Sequence, residues 1–252
     1  MYPPRAAWKA FPDAVLLADE LAAKRHPDYS RAKAGDVRAA TSLVSRIVDE
    51  TGVDTVRTLI AAVSTSDTPM FVSAHAYERH GVNAIPGALA SFLSERTGIP
   101  YETVVVQTNI VSHTSADGYG RLARQACFGG QVDRDREYVM VDDFVGQGGT
   151  LANLRGWIEK QEGRAVGAIV LTGKPYSAKL SPSKEQLYEL RQRHGADFEE
   201  WWQEHFGHSF DCLTQSEARY LTRSPDVDTI RNRLAAAKQE GSRRGRTRNP
   251  YG

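Results

Sequence analysis

The sequence predicts an α/β fold in which helices cover both faces of a parallel sheet. Short apolar segments at 70–74, 138–141 and 166–171 have the length of buried strands. Segments 83–97 and 151–161, which follow the first two, carry apolar residues at helical spacing. Strands that alternate with helices in this way are typical of parallel sheets.

Two further features belong to the same region of the chain. The valine-rich segment 101–107 predicts another buried strand. The polar segment 109–120, which contains Gly118 and Gly120, predicts a loop.

The composition changes on either side of this alternating pattern. Before it, 14–24 is rich in alanine and leucine, and 36–50 has helical spacing up to a break at Gly52. After Pro175 the segments are charged, aromatic and predicted to be helical. The predicted organisation is an N-terminal helical segment at 1–68, a core at 69–175, a helical C-terminal cap at 176–240 and a basic, disordered tail at 241–252.

The composition narrows the class of protein. The 252 residues include 40% hydrophobic and 25% charged side chains with a net charge of +1, which predicts a folded chain and gives no general argument for a polyanionic partner. Cys127 and Cys212 lie far apart without metal-ligand spacing, so neither a zinc site nor a disulfide framework is indicated. No segment has the length of a membrane span, and we expect a cytoplasmic protein. The oligomeric state stays open.

The most informative segment is 138–150, YVMVDDFVGQGGT, in which a strand runs into two acids and then into a glycine-rich turn that opens a helix. Such a turn presents unpaired backbone N–H groups that can bind a phosphate. The carboxylates of Asp142 and Asp143 can accept hydrogen bonds from the vicinal hydroxyls of a ribose and favour a divalent cation. We expect Thr150 to donate to the phosphate and to cap the helix behind it.

This segment resembles the thirteen-residue signature of the type I phosphoribosyltransferases. The resemblance implies their fold and makes Asp142 and Asp143 the catalytic acids that bind the ribose hydroxyls and magnesium. It assigns the 5′-phosphate to a substrate-binding loop formed by Gly146, Gln147, Gly148, Gly149 and Thr150. Family loops usually carry Thr, Ser or Ala where Gly146 and Gln147 stand, so backbone N–H groups must supply more of the phosphate contacts. An Asp at the place of Gly146 marks the 6-oxopurine branch, and its absence argues against that branch.

The resemblance covers about residues 70 to 172 and is weaker upstream of the signature. Phe71–His75 is placed like the family's first strand and pyrophosphate loop, which adds Ser73 and His75 to the substrate-binding residues. The segments 80–83 and 121–129 are similar to those of ComF-like competence proteins, and Arg121 becomes a further phosphate contact.

The resemblance implies a magnesium-dependent transferase of nucleotide metabolism. A nitrogen nucleophile, from a nucleobase or another amine, would attack phosphoribosyl pyrophosphate and release pyrophosphate. The loop 109–120, with His113 and Tyr119 in it and Arg121 at its exit, is the expected lid. The acceptor itself is not indicated.

Several alternatives stay open. Arg121 is equally consistent with a solvated helix face, and His75 with a surface histidine. Trp201 and Trp202 are more typical of buried cap residues than of a stacking platform. The tail arginines could bind nucleic acid, solubilise the chain or contact a partner protein. The second functional class is a regulatory protein that binds phosphoribosyl pyrophosphate or a nucleotide without turnover, with a link to nucleic-acid processing through the tail.

Overall fold

The computed structural model describes residues 2–73, 77–78, 81–109 and 117–246, with the backbone alone at 77, 78, 81 and 241–246. Within them, the strands are β1 (Val15–Leu16), β2 (Met70–Ser73), β3 (Tyr77–Glu78), β4 (Gly81–Val82), β5 (Tyr101–Glu102), β6 (Val106–Gln107), β7 (Phe128–Gly129), β8 (Glu137–Val145) and β9 (Arg164–Gly173). The α-helices are α1 (Glu20–Arg25), α2 (Tyr29–Lys33), α3 (Val37–Ile47), α4 (Glu50–Val63), α5 (Ile85–Thr97), α6 (Gly118–Ala123), α7 (Gly149–Lys160), α8 (Pro175–Ala178), α9 (Lys184–His194), α10 (Ala196–Phe206), α11 (Gln215–Thr222) and α12 (Val227–Arg246).

The central sheet has five parallel strands in the order β1-β9-β8-β2-β5. β8 lies in the middle, where Tyr138–Val141 pair with β2 on one side and nearly the whole strand pairs with β9 on the other. Because the strands are parallel, their carboxyl ends lie at the same end of the sheet. At that end, Ser73, the last residue of β2, pairs with Val141 of β8. The predicted α/β class, with a parallel sheet flanked by helices and a helical C-terminal region, is confirmed.

Alternating side chains of β8 enter two different cores. Val139 and Val141 pack among residues of α3, α4 and α5, whereas Tyr138 and Met140 pack among residues of α7 on the other face. A strand that is buried on both faces reads as a continuous apolar run, which is why the pattern in 138–141 was visible in the sequence.

The C-terminal helices form a third core together with α6. Trp202 is fully buried in it, and the ring of Trp201 stacks between those of Phe198 and His205, with centroids 5.7 and 4.9 Å away. Trp202 is therefore a buried cap residue, as the sequence indicated, whereas Trp201 is only partly buried against the same core.

The N-terminal segment differs from the prediction in two places. Val15–Leu16 is not helical but forms the edge strand β1 beside β9, and α1 begins only at Glu20, where the Asp19 carboxylate accepts the N–H groups of Leu21 and Ala22. Gly52 does not end a helix but lies in the first turn of α4. A two-residue strand has no measurable periodicity, and its pairing with β9 overrides the helix propensity of an alanine-rich segment.

The segment 101–107 is not one buried strand. β5 lies at the sheet edge, where Tyr101 is exposed, and the chain then leaves the sheet to pair Val106–Gln107 with β7 in antiparallel orientation. At the other end of the chain, α12 continues to Arg246, inside the tail predicted to be disordered. Residues 247–252 lie outside the described residues.

We expect Gly156→Ala to destabilise the protein, because a Cβ atom there would lie 2.6 Å from the Arg5 Cα, inside the N-terminal segment that crosses α7. Overpacking of this kind costs about 1–3 kcal/mol. The control is Gly87→Ala in α5, where no atom lies within 4 Å of the added Cβ and helix propensity should raise stability by about 0.5–1 kcal/mol. Urea unfolding of both variants measures the difference, and an unchanged midpoint in Gly156→Ala would contradict the packing.

Candidate active site at the carboxyl end of β8

The two predicted acids lie in β8 itself, because the strand extends to Val145 rather than ending at Val141. Asp142 is paired with Val170 of β9, and Asp143 is 8% exposed. The pair therefore sits at the sheet edge where the carboxyl ends of β2, β8 and β9 meet.

The acids have different electrostatic surroundings. Asp142 Oδ1 accepts the backbone N–H of Asp143 at 2.8 Å. Burial and, next, the negative charge of Asp143 raise the pKa of the Asp142 carboxyl well above its ordinary value. Asp143 Oδ2 lies 3.0 Å from the Nζ atom of Lys33, so its charge is compensated by a cation.

Lys33 is a site residue that the sequence did not reveal. It is the last residue of α2 and lies 110 positions before its partner Asp143. Neighbouring contacts hold the N-terminal helices over the same sheet edge: Lys24 Nζ lies 5.3 Å from the Phe144 ring centroid, and Glu20 forms a 2.7 Å ion pair with Lys174. A single lysine in a charged helix carries no local signal of such a contact.

The glycine-rich turn after β8 adopts a left-handed conformation at Gly148, with φ of 80°. This residue is the N-cap of α7, which begins at Gly149, two residues before the predicted Leu151. Thr150 is therefore inside the first turn of α7. The prediction that it caps the helix was wrong. Gly146–Thr150 nevertheless place the backbone N–H groups of a helix N-terminus next to the acid pair.

The turn is held from outside by the cap. Thr214 Oγ1 donates a 2.5 Å hydrogen bond to the Gln147 carbonyl, and the Thr214 methyl group packs against Gly148. Thr214 in turn caps α11 in a reciprocal arrangement with Glu217. The cap and the turn are therefore one connected unit.

A buried ion pair fixes this unit to the N-terminal segment. The Arg5 guanidinium donates to both oxygens of Glu217, at 2.6 and 2.9 Å, and to the side-chain oxygen of Asn153 in α7, at 2.7 Å. The side chains of Arg5 and Glu217 are 1% and 3% exposed. Arg5 thus connects α7, which follows the turn, with α11, whose N-cap residue Thr214 holds the turn.

The remaining predicted residues divide into two groups. Ser73 is fully buried at the end of β2, and among the described residues its Oγ atom has no hydrogen-bond partner. Arg121 lies against Gly146, where its guanidinium occupies the space that a Cβ atom would fill. His75 and most of the predicted lid, His113 included, lie outside the described residues.

Tyr119 does not belong to a loop. It lies in α6, is 7% exposed and shares a 2.7 Å hydrogen bond with Ser224 Oγ. The prediction of a loop over 109–120 was therefore wrong at its end, because Asp117 caps α6 and the apolar side of this short helix is buried against the cap.

A cleft of about 330 Å³ opens beside the turn. Phe144, Gly146 and Gln147 form one side of it, and residues of α6, α8 and α11 form the others. Its cationic side chains are Arg121, Lys174, Arg219 and Arg223.

Comparison with known proteins finds two curated relatives. Protein TraN of Escherichia coli is 38% identical over 240 residues, which are 95% of this chain and 53% of TraN. An uncharacterized protein of Haemophilus influenzae is 35% identical over 159 residues, 63% of this chain and 35% of that protein. The chain thus spans about half, or less, of the length of these relatives. No family model matches it, and the likeness to ComF-like proteins stays a prediction.

Similar solved structures include phosphoribosyltransferases. Adenine phosphoribosyltransferase of Saccharomyces cerevisiae is 13% identical with a TM-score of 0.37, covering 54% of this chain and 76% of the enzyme. HGPRT-ase of Leishmania tarentolae is 18% identical with a TM-score of 0.31, covering 60% and 74%. Among the described residues, no helix is both long and apolar enough to cross a membrane.

We expect Arg5→Met to destabilise the protein by about 3–5 kcal/mol, because it leaves the Glu217 carboxylate buried without its cation. The matched control is Arg134→Met, which removes an arginine from a surface pair with Glu162 and should cost less than about 1 kcal/mol. Chemical unfolding monitored by circular dichroism compares the two. An equal loss of unfolding free energy in the two variants would show that the buried Arg5–Glu217 pair matters no more for stability than a surface pair.

We expect Asp142→Asn to raise the melting temperature at pH 7, because a carboxyl with a raised pKa is costly to ionise in the folded protein. The folded protein holds this proton more tightly than the unfolded chain does. The stability of the wild type should therefore fall as the pH rises above 3.8, the ordinary value for this side chain, and the advantage of the variant should vanish toward that pH. Asp13→Asn, at an exposed position, is the control. A lower melting temperature for Asp142→Asn at pH 7 would contradict the assignment.

Proposed function

We propose that this chain is a phosphoribosyltransferase that transfers ribose 5-phosphate from phosphoribosyl pyrophosphate to a nitrogen nucleophile. The observation that supports it most is the juxtaposition of the Asp142–Asp143 pair with the left-handed glycine turn at the N-terminus of α7. Carboxylates suit the 2′- and 3′-hydroxyls of a ribose, and the turn suits its 5′-phosphate, as the resemblance of 138–150 to the family signature implies.

The proposed reaction forms a bond between the acceptor nitrogen and the anomeric carbon. The bond from that carbon to the pyrophosphate oxygen breaks, its electron pair leaves with pyrophosphate, and the nitrogen releases its proton to solvent. The positive charge that develops on the ribose is stabilised by the nearby carboxylate of Asp143. The backbone N–H groups at Gly149 and Thr150 would hold the phosphate, and the buried Ser73 hydroxyl offers a further donor at the end of β2.

Magnesium would enter with its substrate rather than reside in the protein. Within the described residues, no group of three or more His, Cys, Asp and Glu side chains is close enough to hold a metal ion. Asp142 and Asp143 would hold the ion with their two carboxylates, and because magnesium takes six ligands the substrate and water would supply the others. When bound, the ion neutralises charge on the departing pyrophosphate.

A second proposal is that the chain binds phosphoribosyl pyrophosphate or a nucleotide without turnover. It is favoured by the Lys33–Asp143 ion pair, which occupies an acid that catalysis would need, and by Gln147 in a position where family loops carry small residues. Nucleic acid as a partner of the basic tail belongs to this proposal.

We expect the double variant Asp142→Asn with Asp143→Asn to lose phosphoribosyl pyrophosphate binding while it stays folded, because neutral amides replace both carboxyl groups proposed to accept the ribose hydroxyls. Calorimetric titration with and without magnesium measures binding, and release of pyrophosphate across a panel of nucleobases and amines measures turnover. The control is Asp13→Asn with Asp67→Asn, two acids outside the site. Wild-type affinity in the double variant would refute the site, and tight binding without release for any acceptor would favour the regulatory proposal.

A further inference from the structure

The cleft beside the glycine turn is placed where an acceptor would have to bind. Phe144 follows the acid pair directly on β8, and Gly146 opens the turn, so the cleft and the proposed ribose site share a wall. A compound in the cleft would thus adjoin the turn that is proposed to hold the 5′-phosphate of the sugar.

The charge of the cleft is one-sided. Four of its lining side chains are cationic, and among its described lining residues none is acidic. Glu20 reaches Lys174 from α1 at 2.7 Å, and Arg121 has an interaction partner as well. Arg219 and Arg223 are four residues apart at the end of α11 and therefore lie on the same side of it. Like charges gathered in one cavity favour an anion, and the planar guanidinium groups match a phosphate in particular.

The cleft also offers surfaces for a flat ring. Tyr176 is half-exposed, and the Arg219 guanidinium lies over its ring, 4.4 Å from the centroid, so both groups are held in place before any ligand binds. The side-chain oxygen of Gln147 is buried without a hydrogen-bond partner among the described residues, and it can accept a hydrogen bond from a ring N–H. Gln147 lines the same cleft.

We infer that the acceptor is a phosphorylated heteroaromatic compound of the size of a nucleoside monophosphate, not a free nucleobase. Its phosphate binds Arg219 and Arg223, and its ring lies against Tyr176 with an N–H group toward Gln147. This inference rests on the proposed function, since it names the acceptor class of the same site.

Isothermal titration of the full chain with AMP, GMP, CMP and UMP, and with the corresponding nucleosides, tests it. At least one monophosphate should bind about tenfold or more tightly than its nucleoside. Arg219→Gln and Arg223→Gln should each weaken that monophosphate about tenfold or more while phosphoribosyl pyrophosphate binds as in the wild type. Arg46→Gln, at an exposed position of α3 outside the cleft, is the matched control.

Other outcomes overturn the inference in distinguishable ways. Equal affinity for nucleotide and nucleoside would show that the cleft does not recognise a phosphate on the acceptor. If Arg219→Gln and Arg223→Gln weakened inorganic pyrophosphate and phosphoribosyl pyrophosphate instead, the cleft would belong to the leaving group. If no wild-type binding of phosphoribosyl pyrophosphate occurred while a monophosphate still bound through the two arginines, the proposed function would fail, and the cleft would be a nucleotide site without a transfer reaction.

Discussion

The buried ion pair between Arg5 and Glu217 joins three distant parts of the chain at one point. Arg5 also binds Asn153 of α7, and Glu217 binds the backbone N–H of Thr214, whose hydroxyl holds the Gln147 carbonyl. The conformation of the glycine turn is thus determined by contacts from the N-terminal segment and from the cap. A charge pair of this kind is not chiefly a source of stability, since its desolvation is costly. Its value lies in allowing one arrangement of the helices that surround the turn.

The Asp142–Asp143 pair, by contrast, lowers the stability of the folded protein at the place where we propose that a ligand binds. Burial and the neighbouring charge of Asp143 raise the pKa of Asp142, and the ion pair with Lys33 opposes this shift without cancelling it. A chain selected for stability alone would not keep both acids there, whereas the proposed ribose site would use both. The unfavourable placement is therefore itself an argument for binding at this edge.

Prediction from the sequence succeeded where the signal was local. The strands β2 and β8, the helix α5 and the glycine turn each have a pattern contained within about fifteen residues, and the acids lie next to the turn in the sequence. It failed where tertiary contacts decide the structure. The strand β1 is too short to show a period, and α4 runs through Gly52, whose N–H the Asp49 carboxylate accepts at 2.9 Å. Lys33 lies 110 positions from Asp143, Arg5 lies 148 positions from Asn153, and Thr214 holds Gln147 across 67 positions. No spacing within a segment could have identified these contacts.

The ion pair of Lys33 with Asp143 is present in the site before any ligand binds. The ammonium group acts as a counter-ion held within the protein, and under the proposed function a ribose with its metal ion would have to displace it or share the carboxylate with it. Ligand binding would then exchange one cation for another at Asp143. Such a site would receive a highly charged substrate at an acid whose own charge already has a counter-ion in the free protein.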